Sequence, residues 1–287
     1  MAIPATVVPV LRLLPFALAV GFFPARDGWT QQMARSPDTQ AVKFSCDFRA
    51  SWAECGFYEQ SKSPNRASLV TVAGMPAVRL RTVPGDNQVA GSGTAERNDL
   101  TLSQATTDCS EGRVHWWAHS ILFPDDFVVP YSVAGEWAWG TVFDFHQTGP
   151  TGQANFQIDA MPAPIGLRFR VSAGPVVSDG SPGSPTREWP IGPIVRNVWY
   201  HFVYHIRWSS GSDGFIKAWI NGALRLEHSG PTLYKGMGCY LKLANYHTAF
   251  GQATSVIHAR VIRGTGPEAV SLTPLQGVSL SADNAVR

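Results

Sequence analysis

The chain has 287 residues, of which 15% are charged, 44% hydrophobic and 11% aromatic, and its formal net charge is +2. Globular domains contain about 25% charged residues, so this composition excludes a disordered chain and a coiled coil. The sequence has no basic run and no phosphate-cradling glycine loop, and we therefore expect no nucleic-acid partner.

The N-terminal segment has the pattern of a secretory signal. Arg12 precedes an apolar stretch over residues 13–23, which has the length of a signal-peptide core and is too short to span a bilayer. We expect residues 1–25 to be a signal peptide, the protein to be secreted (extracellular or periplasmic), and no membrane to be involved. A short uncleaved anchor is the alternative, because no small-x-small cleavage site follows Phe23.

The four cysteines are Cys46, Cys55, Cys109 and Cys239. In an exported protein they allow up to two disulfides, in any of three connectivities. Cys46 and Cys55 are close enough in sequence to close a loop. None has the spacing of a zinc site, so we assign all four a structural role.

Strand-like segments separated by turn signals recur along the chain, and helical patterns are nearly absent. Aromatic and polar residues alternate most clearly over residues 199–208, and Asn221-Gly222 predicts a hairpin between two strands. Residues 172–197 are rich in Gly, Pro and Ser and predict a long loop at the rim of a cleft. We expect a single all-β domain over residues 26–270 and a C-terminal tail over residues 271–287. The predicted strands are 67–72, 77–82, 114–123, 140–146, 155–160, 166–171, 199–208, 214–220, 223–227, 238–246 and 255–263.

Two short runs combine a charged residue with a possible partner two positions away. On a strand Arg97 and Asp99 face the same way, and a guanidinium held by a carboxylate is a good fork for binding another carboxylate. Asp144 and His146 also share a face, where the carboxylate can orient the histidine ring and raise its pKa. An ordinary surface ion pair and a satisfied core histidine are the alternatives.

The third run is Tyr240-Leu-Lys-Leu-Ala-Asn-Tyr246, in which Tyr240, Lys242 and Tyr246 share one strand face. Lys242 and Tyr246 are roughly 13 Å apart on an extended strand. A cation near a phenol favours phenolate, so such a tyrosine can act as an acid or base. Taken alone, the run also fits an exposed, half-polar strand face.

Other residues carry weaker signals. We expect Trp137 and Trp139 to lie on a strand with their side chains on the same face, where they either stack on sugars or belong to the core. Arg168 and Arg170 share a face, which we expect to be solvated rather than part of an anion cleft. Two histidine pairs lie four residues apart in strand-like segments, too far apart to chelate zinc, so we predict no metal site. These pairs are His115 with His119 and His201 with His205.

Together the runs resemble the signature blocks of jelly-roll polysaccharide lyases, which include alginate lyases and the related glucuronan and heparin lyases. The matching segments are Arg97-Asn-Asp-Leu100, Asp144-Phe-His146 and the run from Tyr240 to Tyr246. Residues 198–222 are similar to the glucuronan and heparin lyase type. The resemblance implies a concanavalin A-like jelly roll of two antiparallel sheets that cleaves an acidic, uronic-acid-containing polysaccharide by β-elimination. The few basic residues favour an unsulfated polyuronate such as glucuronan or alginate.

The resemblance also implies roles for individual residues. Tyr246 and His146 are expected to be catalytic. The expected substrate-binding residues are Arg97, Lys242, Gln147, Asp144, Tyr240 and Trp139.

Asp144 departs from the alginate-lyase pattern, which has a glutamine whose amide neutralises the uronate carboxylate. An ionised Asp144 would repel that carboxylate. Either Asp144 is protonated, or it holds His146 or a cation, or the neutralising group is Arg97, Gln147 or Asn155.

We expect no required cofactor and a monomeric protein. The resemblance allows a structural calcium ion, although no loop has recognisable ligands. Two other functions fit the same fold: a non-catalytic carbohydrate-binding jelly roll, and a glycoside hydrolase. A hydrolase would need a close pair of acids, which the sequence does not offer convincingly.

Overall fold

The computed structural model describes residues 41–133, 137–149, 153–175 and 186–271. The predicted signal peptide, the first residues of the predicted domain and the tail beyond residue 271 lie outside this part of the chain. Within it, no helix is both long and apolar enough to cross a membrane.

The described residues form fifteen strands, one short α-helix and one 3-10 turn. The strands are β1 (Val42–Cys46), β2 (Phe57–Ser61), β3 (Ala67–Val72), β4 (Met75–Thr82), β5 (Glu96–Leu102), β6 (Val114–Leu122), β7 (Gly140–Gln147), β8 (Phe156–Met161), β9 (Gly166–Val171), β10 (Arg187–Gly192), β11 (Trp199–Arg207), β12 (Phe215–Ile220), β13 (Ala223–Ser229), β14 (Cys239–His247) and β15 (Thr254–Gly264). The helix α1 is Gln104–Thr107, and the 3-10 turn is Glu268–Val270.

These strands form two antiparallel sheets, which confirms the predicted jelly-roll sandwich. The back sheet has the order β13-β12-β11-β6-β15-β4-β3, and β1 pairs with β15. The cleft sheet has the order β10-β9-β8-β7-β14-β5-β2. Since β14 lies between β7 and β5, the three polar runs of the sequence occupy three adjacent strands.

Alternation along β7 and β14 separates the core from the opposite face of the cleft sheet. Phe143 and Phe145 of β7, with Leu243 of β14, are buried in the core between the sheets. Asp144 and Lys242 alternate with these residues and project from the other face. A one-residue slip would move both charges into the apolar core, so burial of the aromatic side chains fixes the register.

All four cysteines are disulfide-bonded, in the pairs Cys46–Cys55 and Cys109–Cys239. The second bond joins the segment after α1 to the first residue of β14. It therefore fixes the start of the strand that carries Tyr240, Lys242 and Tyr246.

The predicted strands are confirmed to within a few residues at each end, but the long loop over residues 172–197 is wrong in part. That segment contains β10, the edge strand of the cleft sheet, which pairs with β9. Pro190 and Gly192 interrupt the strand pattern in the sequence, and an edge strand tolerates proline because one side of it needs no partner. The strand patterns also do not predict β1 and β2, and they do not give the bounds of β5, for which only the shared face of Arg97 and Asp99 is expected.

Candidate active site

The register of β5, β14 and β7 brings the three polar runs together on one face of the cleft sheet. Tyr246 of β14 is opposite Arg97 of β5. On the other side of β14, Lys242 is opposite Asp144 and Tyr240 is opposite His146. The tyrosine beside His146 in the backbone ladder is therefore Tyr240, and the tyrosine beside Arg97 is Tyr246.

This face forms the floor of a cleft of about 920 Å³. Pockets of this size with convergent polar groups are typical of ligand sites. The lining includes every site residue that the sequence predicted, namely Arg97, Trp139, Asp144, His146, Gln147, Tyr240, Lys242 and Tyr246.

Arg97 and Tyr246 are in direct contact. The Arg97 guanidinium carbon is 3.9 Å from the centroid of the Tyr246 ring, and Nε of Arg97 is 3.1 Å from Oδ2 of the buried Asp99. Trp139 packs edge-on against the same ring, with centroids 4.7 Å apart. Burial raises the pKa of the Tyr246 phenol, and the charge of Arg97 opposes that rise. Tyr246 is therefore protonated at neutral pH, beside a cation that stabilises its phenolate.

The cation that contacts Tyr246 is thus Arg97, and the prediction that Lys242 is the cation beside this phenol is wrong. Nζ of Lys242 is 3.7 Å from Oδ2 of Asp99 and 5.5 Å from the centroid of the Tyr240 ring. Lys242 and Tyr246 are four residues apart on the same strand, whereas Arg97 is directly across the ladder from Tyr246.

Asp144 is 4% exposed and lines the cleft. Its Oδ1 atom is buried and has no hydrogen-bond partner. Burial raises the pKa of the Asp144 carboxyl, and Lys242 is the strongest opposing influence. The charged and titratable groups around it are Lys242, Tyr240 and Tyr246 on β14, Arg97 and Asp99 on β5, Asp159 on β8, and His146 on its own strand.

His146 is oriented by the backbone of its own strand. Its Nδ1 is 2.9 Å from the carbonyl oxygen of Gln147. A carbonyl only accepts, so Nδ1 carries the proton and the lone pair of the neutral ring is on Nε2. The ring also stacks on Tyr240, with centroids 5.1 Å apart. His146 therefore has a nitrogen that can accept a proton and a fixed ring orientation.

The cleft extends beyond the predicted residues to β8 and β9. Arg168 and Arg170 line it, and their side chains are only 13% and 21% exposed. The expected solvated face is therefore wrong, because the cleft sheet folds these side chains against Asp159 of β8. The alternation of arginine with buried Leu167 and Phe169 placed both arginines on one face, but it could not show that this face lines the cleft.

The structure also gives the positions of Trp137, Trp139 and Asn155, for which the sequence carried weaker signals. Trp137 and Trp139 precede β7 and are not in a strand, so the shared strand face is wrong. Trp137 is 87% exposed at the edge of the cleft. Asn155 is fully buried and is not among the described residues that line the cleft.

The calcium ion allowed by the resemblance stays a prediction. Across the described ranges, no group of three or more His, Cys, Asp or Glu side chains could hold a metal ion.

A comparison with protein-family models finds one described as polysaccharide lyase, which matches residues 28–261. The chain belongs to this polysaccharide lyase family. The match covers both sheets except for the last three residues of β15, and it includes all three polar runs of the cleft. No curated protein matches the sequence.

Solved structures show the same fold at low sequence identity. An endo-β-1,4-glucuronan lyase from the fungus Trichoderma reesei is 14% identical, with a TM-score of 0.56 over 74% of this chain and 97% of that one. The alginate lyase Aly36B is 14% identical, with a TM-score of 0.51 over 78% of this chain and 96% of that one. The fold is thus that of known lyases.

The binding domain of Paraclostridial Mosquitocidal Protein 1 is also similar in fold to this chain. It is 10% identical, with a TM-score of 0.50 over 81% of this chain and 50% of that one. Because one fold hosts different functions, the substrate has to be argued from the cleft.

Proposed function

We propose that this lyase is a secreted enzyme that cleaves an unsulfated polyuronate, such as glucuronan or alginate, by β-elimination. The observation that carries the proposal is the arrangement on β5, β14 and β7. Two cations, two phenols and an imidazole line one face of a single cleft.

β-Elimination at a 4-linked uronate places three demands on an enzyme. The substrate carboxylate must be neutralised so that the proton on C5 becomes acidic, a base must remove that proton, and an acid must protonate the departing O4. The C5–H and C4–O4 bonds break, and a C4=C5 double bond forms. The cleft offers candidates for each demand.

For neutralisation, we propose that Asp144 is a neutral carboxylic acid that donates a hydrogen bond to the substrate carboxylate. A protonated carboxyl offers a donor and an acceptor, as the glutamine amide of the alginate-lyase pattern does. Oδ1 of Asp144 is buried without a partner, and burial raises the pKa of this carboxyl, which favours the neutral form. Arg97 and Lys242 bind the negative charge from the other strands.

For proton transfer, we propose Tyr246 as both base and acid on the reacting sugar: its phenolate, stabilised by Arg97, removes the C5 proton, and the phenol then gives a proton to O4. His146 is opposite Tyr240, and the register puts its backbone roughly 17 Å from Tyr246, so His146, with its lone pair on Nε2, forms the alternative acid–base pair with Tyr240. Tyr240 is the alternative acid, because it is stacked on His146 and its pKa is also raised by burial.

The balance of charge supports an unsulfated substrate. Arg97 and Lys242 share Asp99, and Arg168 and Arg170 share Asp159. These paired carboxylates moderate the positive potential of the cleft. Such a cleft suits one carboxylate per sugar better than a densely sulfated chain, which would need unpaired cations.

The test is incubation of the purified lyase with glucuronan, alginate and heparin, while the far-ultraviolet absorbance of the C4=C5 double bond is followed. We expect absorbance with an unsulfated polyuronate and little with heparin. New reducing ends without absorbance would indicate a hydrolase, and binding without either would indicate a carbohydrate-binding protein.

The disulfides support secretion. Sequencing the N-terminus of protein recovered from the medium tests secretion and the predicted cleavage near residue 25.

A further inference from the structure

We propose that Arg168 and Arg170 form a second anion site in the cleft, which binds a substrate carboxylate away from the bond that is cleaved. The inference rests on the proposed function, because it requires a substrate with carboxylates on more than one sugar. It extends that function from one reactive uronate to a run of uronates.

The register separates this site from the catalytic tyrosine. Arg168 of β9 is opposite Asp159 of β8, Asp159 is opposite Thr141 of β7, and Thr141 is opposite Tyr246 of β14. Three interstrand spacings of about 4.8 Å put the backbones of Arg168 and Tyr246 roughly 14 Å apart. A carboxylate bound at Arg168 therefore belongs to a different sugar from the one that reacts.

Two guanidinium groups share one buried carboxylate at this site. Nε of Arg168 is 3.1 Å and Nε of Arg170 is 3.6 Å from Oδ2 of Asp159. Oδ1 of Asp159 accepts hydrogen bonds from Gln157 at 2.5 Å and Thr141 at 3.3 Å. Asp159 is therefore fixed in place and compensates only one of the two positive charges.

The arginines have donor capacity left for a ligand. Each guanidinium has five N–H donors in a planar fork that matches a carboxylate. Nη2 of Arg170 donates to Oε1 of Gln153 at 3.2 Å, and its Nε is buried beside Asp159. The Nη donors that these contacts leave over can form charge-assisted hydrogen bonds with a bound carboxylate.

Glu188 occupies the outer edge of this site. It lies on the edge strand β10, its side chain is 45% exposed, and its Oε2 accepts from Nη1 of Arg168 at 2.8 Å. An exposed ion pair of this kind contributes little to stability, so the side chain can move away. Glu188 thus holds the position that a substrate carboxylate takes, and it competes with the substrate for Arg168.

The test compares variants in steady-state kinetics on a long polyuronate and in calorimetric binding of a uronate oligosaccharide. The double variant Arg168→Gln, Arg170→Gln should raise KM and Kd about tenfold or more, with kcat little changed, because it loses charge-assisted hydrogen bonds outside the reacting sugar. Glu188→Gln should lower KM and Kd, because the competing charge is gone. Arg49→Gln is the matched control, since Arg49 is an exposed arginine paired with Asp47 and does not line the cleft.

Two results would overturn the inference. One is unchanged affinity in a folded Arg168→Gln, Arg170→Gln protein, and the other is weaker binding by Glu188→Gln. Thermal unfolding identifies loss of fold in the double variant, in which case Glu188→Gln alone decides. Absence of unsaturated products from every polyuronate would refute the proposed function, whereas the anion site is still judged by oligosaccharide binding. If the wild-type protein binds no uronate oligosaccharide, the anion site is refuted as well.

Discussion

The guanidinium of Arg97 lies over the ring of Tyr246, 3.9 Å from its centroid, and Asp99 holds it there. This contact favours phenolate formation at Tyr246 when the phenol gives up its proton. We expect Tyr246→Phe to lower kcat by about 10²–10⁴-fold, the usual contribution of a general acid or base, without loss of fold. The rate at which unsaturated uronate ends are released measures this fall in kcat.

The control for that variant is Tyr240→Phe, which removes the other phenol of β14. We expect it to keep most of kcat, because Tyr240 contacts His146 and Lys242 rather than Arg97. The reverse pattern, an inactive Tyr240→Phe beside an active Tyr246→Phe, would assign the acid to the phenol stacked on His146.

The neutral state of Asp144 predicts a specific pH dependence. The raised pKa keeps the carboxyl protonated to higher pH than usual, and activity should fall as pH rises through that pKa. Asparagine cannot titrate, so Asp144→Asn should stay active and shift the alkaline fall toward higher pH. Profiles of kcat/KM against pH for the two proteins measure this shift. A folded but inactive Asp144→Asn would mean that the ionised carboxylate is required.

Much of this site could be predicted because residues that can bind charge or transfer protons recur at alternate positions of strand-like segments. The alternation around Lys242 and Asp144 placed their side chains on one face, and the order of the runs matched a known family. Their cross-strand partners could not be predicted. Whether Arg97 or Lys242 contacts Tyr246 depends on the register between distant strands, which only the folded sheet fixes.

The missed strands show a second limit of the sequence patterns. All seven residues of β5 are buried, although four of them are charged or amide residues, Glu96, Arg97, Asn98 and Asp99. A run of polar residues predicts an exposed segment unless the partners of those residues are known. Lys242, which pairs with Asp99, lies on the neighbouring strand β14 and is distant in sequence. In β10, Pro190 and Gly192 predict a loop, and pairing with β9 overrides that local preference.

The two disulfides should contribute unequally to stability. Cys109–Cys239 joins residues 130 positions apart, whereas Cys46–Cys55 joins residues 9 apart. In the chain-entropy description these loops correspond to about 5 and about 2.6 kcal/mol of the free energy of unfolding. Replacing Cys109 and Cys239 with alanine should therefore lower the Tm more than replacing Cys46 and Cys55. A larger effect from the short loop would contradict this order.

Buried histidines should make the fold sensitive to acid. Burial lowers the pKa of His258 to about 3 and that of His247 to about 4, and the pKa of the fully buried His119 falls as well. The unfolded chain takes up these protons near pH 6.5, and the folded protein does not until lower pH. Stability should therefore be greatest above pH 6.5 and fall from there toward about pH 4, by about 1.4 kcal/mol per pH unit for each histidine.

A comparison with His119→Phe isolates one of these contributions. His119 stacks on Phe143 with centroids 4.0 Å apart, and neither ring nitrogen has a hydrogen-bond partner, so phenylalanine fits the same environment. The variant should show a shallower loss of stability between pH 6.5 and 4 in chemical unfolding. Asp99 and Asp144 act in the opposite sense, since their raised pKa values favour the folded protein as pH falls, but they act equally in both proteins. Equal slopes would contradict the assignment.

The most direct test of the proposed function is the product formed from unsulfated polyuronates. Glucuronan and alginate are incubated with the wild-type lyase and with Tyr246→Phe, and the chain ends are identified by mass spectrometry and far-ultraviolet absorbance. We predict unsaturated uronate ends from at least one of the two polymers with the wild-type protein, and a large loss with the variant. Intact polymer or saturated ends from both polymers with the wild-type protein would contradict polyuronate β-elimination in this cleft.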